Sequence, residues 1–131
     1  MWHEFCENPG AITSLYGEIP RDLAQLELAE LSIHRDGPRL TLSFLGLPYP
    51  ERPPSRWVAQ GFNAAGLRLV AFPLTAFELS GWSTSNPVQV TVAGQESGSK
   101  SVEIVGPHGR IAFRAGFLRI DAVTGYLRSE A

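Results

Sequence analysis

Cysteine, lysine and long apolar runs are what this chain lacks. Its one cysteine, Cys6, has no second thiol to pair with, which excludes a disulfide framework and a multi-cysteine zinc site. The histidines His3, His34 and His108 fall in a terminus, a strand-like run and a turn-like run, without the i, i+4 spacing of a helical metal site. No stretch nears the ~20 apolar residues of a membrane span. The opening residues 1–7 carry neither a basic start nor an apolar core, so they do not read as a secretory leader, and the expected location is the cytoplasm. Eleven basic residues, of which only Lys100 is lysine, face thirteen acidic ones for a net charge of −2. That balance excludes a strongly basic nucleic-acid binder.

Catalytic groupings are missing as well. Ser80-Gly81 and Ser97-Gly98-Ser99 lack the G-x-S-x-G elbow that exposes a nucleophile, and there is no Gly-x-Gly phosphate cradle. Glu78, Glu103 and Asp121 occupy the polar positions of alternating runs, where a solvated sheet face is expected rather than an acid–base pair. No cofactor, no metal and no catalytic residue are expected.

What the chain does have is alternation. With 131 residues, 44% hydrophobic and 18% charged, it fits a single domain over residues 1–131. Leu40, Leu42 and Phe44 alternate with Thr41 and Ser43, as in a strand buried on one face. The same period runs through Leu31–Ile33, Leu67–Leu69, Phe77–Leu79, Val88–Val92, Val102–Ile104, Ile111–Ala115 and Leu118–Ile120. Asp36-Gly37-Pro38 and Gly106-Pro107-His108-Gly109 read as hairpin connections, and residues 94–99 as a polar loop tip. The alternation slips phase twice, between Leu28 and Leu31 and between Phe117 and Leu118, which predicts a bulge or tight bend at each. Ile12, Leu15 and Tyr16 sit at helical spacing within residues 10–17. The expected fold is all-β: a mainly antiparallel β-sandwich or strongly curved sheet of seven to nine short strands, with one short N-terminal helix.

Two surfaces stand out as candidate binding regions. Pro48-Tyr49-Pro50-Glu51-Arg52-Pro53-Pro54 is too rich in proline for a central strand and reads as a surface crossover. Arg56 and Trp57 follow it. Trp57 is open to two readings, a core plug that pins the crossover or an exposed aromatic beside Arg52 and Arg56. The second region is the first quarter of the chain, where six acidic residues outnumber Arg21. Its Glu18 and Asp22, flanking Pro20, form either a solvated face or a patch that meets a basic partner.

Several short patterns together resemble a known family. They are Trp2-x-x-Phe5-x-x-Asn8, Ile12-x-x-Leu15-Tyr16-Gly17 and Pro20, then the hairpin at Arg35-Asp36-Gly37 and the Pro48…Pro53-Pro54-x-x-Trp57 crossover. Asn63 precedes an alternating strand, and Phe113-x-Ala115, Leu118-x-Ile120 and Gly125-Tyr126 complete the set. In this order they resemble the bacterial family called Immunity protein 50. The resemblance implies a small cytoplasmic protein of a polymorphic toxin system, which protects its producer by binding a cognate toxin domain without catalysis. It brings no catalytic residues. Tyr49, Arg52, Arg56 and Trp57, with Glu18 and Asp22, are the expected toxin-binding residues, with neither nucleic acid nor membrane as partner. A small β-sandwich binding a ligand or carbohydrate, with Tyr49, Trp57 or Trp82 as stacking platform, is the alternative.

Overall fold

The computed structural model describes residues 6–16, 25–94 and 98–128. Helix α1 (Gly10–Tyr16) is followed by strands β1 (Gln25–His34) and β2 (Arg39–Leu47), the short helix α2 (Ser55–Ala59), and strands β3 (Ala64–Ser80), β4 (Pro87–Gly94), β5 (Lys100–Gly106) and β6 (Gly109–Tyr126). All strand pairs are antiparallel, and the order β1-β2-β3-β6-β5-β4 closes into a barrel.

The fold is all-β as expected, and the strongly curved sheet is the form it takes. Among the described residues it has six strands rather than seven to nine. The reason lies in β3 and β6, each of which absorbs two of the alternating runs. Their N- and C-terminal halves pair over almost their full length, from Ala64↔Tyr126 to Ser80↔Arg110. This long ribbon serves two half-sheets. Its Ala64–Phe72 end continues into β2 and β1, and its Leu74–Ser80 end faces the part of β6 that continues into β5 and β4. An extra residue at Thr75 bulges β3 where Leu74 pairs Ala115 and Ala76 pairs Arg114. Beside it, Pro73 has no amide to give to the ladder and sits against Gly116, so the two alternating runs on either side meet at a bend within one strand.

Alternation is converted into a core in most runs, while Ile33 and Leu79, near the ends of β1 and β3, stay exposed. Leu26, Leu28, Leu40, Leu42, Phe44, Leu67 and Leu69 point inward from one half-sheet, and Val90, Val92, Val102, Ile104, Ile111 and Phe113 from the other. On β6 the buried set changes from Ile111, Phe113 and Ala115 to Leu118 and Ile120, the slip that the sequence places at Phe117. The earlier slip is a bulge at Ala29, between the pairs Leu28↔Phe44 and Glu30↔Ser43. Both hairpins form where the turn residues lie, residues 35–38 between β1 and β2 and Pro107-His108 between β5 and β6. Gly37 there has φ +126°, a backbone that side chains with a Cβ rarely adopt. Between β4 and β5, residues 95–97 of the polar loop lie outside the described residues.

Closure depends on a short seam. β1 and β4 pair only through Gln25–Glu27 and Pro87–Gln89. Asn86, the one buried polar residue among those described, reinforces it. Its side chain accepts from the Ser83 amide (2.9 Å) and donates to the Ser83 carbonyl (2.6 Å), while its own amide donates to Glu27 Oε1 and its carbonyl accepts from the Leu28 amide. Asn86→Ala removes the side-chain bonds that shape this turn and is expected to cost about 1–2 kcal/mol, measured by urea denaturation.

The chain before β1 closes the structure from outside. Residue 7 adds a parallel bridge to β6, with the Glu7 amide donating to the Leu118 carbonyl and the Ile120 amide to the Glu7 carbonyl. Asn8 Nδ2 donates to the Ile120 carbonyl. The expected helix then forms over Gly10–Tyr16 and buries Ile12 completely. A helix this short is marginal alone and persists because one face is packed.

Candidate functional site

The outer face of β1, β2, β3 and β6 carries a trough of about 690 Å³, walled at one end by Asp36 and Gly37 of the first hairpin. Its floor follows from pairing register. Thr41 of β2 lies across from Val70 of β3, which lies across from Arg119 of β6. One row further on, Ser43 faces Arg68, and Arg68 Nη1 reaches Asp121 Oδ2 at 3.8 Å. In the other direction Phe72 faces Phe117, their rings 5.7 Å apart and tilted by 36°, with Arg39 at the neighbouring end of β2. Leu40, Ala71 and Leu118, the inward neighbours of these residues, are buried. The outward set is thereby held on a rigid, core-backed surface.

Sequence reasoning missed this surface. Its polar members look like the ordinary polar positions of alternating strands. Val70 and Phe72 of the trough, and the exposed Phe117 at its edge, 49% accessible at a phase slip, are the apolar residues that depart from the pattern.

At the crossover the structure decides between the two readings of Trp57. It is 3% exposed and lies within α2, so it is a core residue, the plug that pins the crossover. Pro54, with φ −54° and ψ 142°, caps the helical turn, and its carbonyl accepts the Trp57 amide (2.9 Å). Proline suits that position because the first turn has no partner for its missing N–H. Tyr49 is half-buried and packs on Trp57 with ring centroids 6.0 Å apart. Arg52 and Arg56 are exposed, as is Val58. Glu18 and Asp22 lie outside the described residues. Of the other aromatics, Trp82 is 49% exposed and stands apart from the crossover, just past the end of β3.

The groups capable of chemistry are dispersed. Glu78, Glu103 and Asp121 are exposed, as their strand positions predict, and each is within 4.0 Å of an arginine. His34 Nδ1 accepts the Asp36 amide in the first hairpin, and His108 sits in the second. Among the described residues no three His, Cys, Asp or Glu side chains group as metal ligands. EDTA is expected to leave the melting temperature unchanged, which differential scanning fluorimetry would check.

Burial pushes the Cys6 thiol up to about 12, partly offset by Lys100, so it carries almost no thiolate at neutral pH. Burial also raises the Tyr16 hydroxyl to about 12, and that hydroxyl donates to the Pro48 carbonyl (2.6 Å), tying α1 to the crossover. Both groups hold their protons longer folded than unfolded. Their contribution to stability is therefore complete below pH 9 and lost as pH rises towards 12. The melting temperature should fall over that alkaline window, and Ellman's reagent should label Cys6 at pH 8 only after denaturation.

No curated protein and no solved structure matches this chain. A family model does, that of Immunity protein 50, over residues 8–126. The matched span runs from Asn8, bonded to β6, to Tyr126, the last residue of the barrel, and so takes in every element described above. The chain belongs to the Immunity protein 50 family.

Proposed function

We propose that this protein neutralises a bacterial toxin domain by binding it, in the cytoplasm of the cell that makes the toxin. The observation that supports this is the family match over the whole barrel. Immunity proteins act generally through a protein partner and without catalysis, and the dispersed titratable groups of this chain agree with such a role. A folded surface of this size readily supplies the ~800 Å² that one side of a standard complex buries. A core-backed sheet face does so with little ordering cost.

The test is co-expression with the toxin domain encoded next to this gene. Growth should be arrested by the toxin domain alone and restored by this protein, and the two purified proteins should co-elute as one complex. Arrest that this protein does not relieve would overturn the reading.

A further inference from the structure

The trough outside β1, β2, β3 and β6 is even in its number of charges and uneven in their pairing. It is lined by Arg39, Arg68 and Arg119 and by Glu30, Asp36 and Asp121. Asp121 is engaged by Arg68, and Asp36 by Arg35 at 3.5 Å. Arg39 and Arg119 have no carboxylate within 4.0 Å among the described residues, and Glu30 has no cation. Two uncommitted guanidiniums therefore face one uncommitted carboxylate, on a chain whose overall charge is −2.

Beside these guanidiniums lies the only aromatic ring pair on the described outer surface of the barrel strands, Phe72 of the trough with the half-exposed Phe117 at its edge, two residues before Arg119 on β6. Val70 continues the apolar strip to the row of Arg119. Arginines beside an aromatic and apolar strip, on a backbone already fixed by pairing on both sides, are the composition and rigidity of an interface hot spot. The crossover lacks this combination, because its tryptophan is turned into the core.

We infer that this trough is where the toxin docks, and that it receives a segment pairing acidic side chains with an apolar one. The carboxylates meet Arg39 and Arg119, and the apolar side chain covers Phe72 and Phe117. The inference rests on the immunity reading, and names the surface and the chemistry of its partner. Guanidinium–carboxylate pairing at the edges of a dry apolar contact supplies both steering and retention.

The experiment measures binding of the purified toxin domain from the neighbouring gene by surface plasmon resonance, at 50 and 300 mM salt. Wild type, Arg39→Glu/Arg119→Glu and Arg52→Glu/Arg56→Glu are compared, each first shown to melt as wild type does. All four arginines are exposed, so folding should survive. Phe117→Ser, which leaves the charges alone, is the fourth protein. The trough double variant should lose at least a hundredfold in affinity, Phe117→Ser at least tenfold, and the crossover variant no more than about twofold. Wild-type binding should weaken as salt rises. Wild-type affinity in the trough variants, or a large loss confined to the crossover variant, would overturn the trough while leaving the immunity function standing. Failure of the wild type to bind or protect would overturn both.

Discussion

Trp57→Ala should lower unfolding stability by about 3–5 kcal/mol, the range for truncating a buried large aromatic. The side chain is 3% exposed and anchors α2, the only helical turn in the long connection between β2 and β3. Its ring meets Tyr49, which comes from the other end of the same crossover. Its carbonyl accepts the Phe62 amide (3.0 Å), which leads the chain into β3. Removing the indole leaves a cavity that those proline-restrained segments cannot collapse to fill. Guanidinium chloride unfolding followed by far-ultraviolet circular dichroism would measure the loss. Because Trp57 faces inward, any fall in partner binding should track the unfolded fraction, and at temperatures where the variant is folded its affinity should match wild type.

Gly125→Val should cost about 3 kcal/mol, at the upper end of overpacking penalties. Gly125 lies on β6 across from Ala65 of β3, under the Trp57 and Phe62 rings. A Cβ there would stand 2.7 Å from Trp57 Cδ2 and 2.7 Å from Phe62 Cδ2, closer than side-chain carbons approach. Neither ring can give way easily, since Trp57 is buried and Phe62 is packed against the core. A double-mutant cycle checks the cause. In the Trp57→Ala background one of the two clashes is gone, so Gly125→Val should cost less than in wild type. Equal costs in both backgrounds would mean that the glycine serves something other than ring packing.

Both sites carry a lesson about what was legible. Gly125-Tyr126 and Pro53-Pro54-x-x-Trp57 were visible as separate short patterns, 68 residues apart from Trp57 to Gly125. No local rule connects them. They are one packing unit because β3 pairs with both β2 and the end of β6. Asn63 shows the same limit. It reads as a turn residue, yet it exchanges hydrogen bonds with Arg128, its Nδ2 donating to the carbonyl and its Oδ1 accepting the amide (2.7 Å), fastening the chain end to the start of β3.

The sequence by itself determined which side chains face inward in most of the alternating runs, where two hairpins turn, where the first helix lies and where the alternation slips. These are local properties: a period of two, glycine and proline at turns, and helical spacing in residues 10–16 all act within a few residues. The family, too, was legible from ordered short patterns. Tertiary structure alone decided how the alternating runs join into strands, that the sheet closes through β1 and β4, that Trp57 is core, and that Arg39, Arg119 and Phe72 share one trough with Phe117 at its edge. Those outcomes depend on register between segments far apart in the chain, and alternation says which face a residue takes without saying which strand lies beside it.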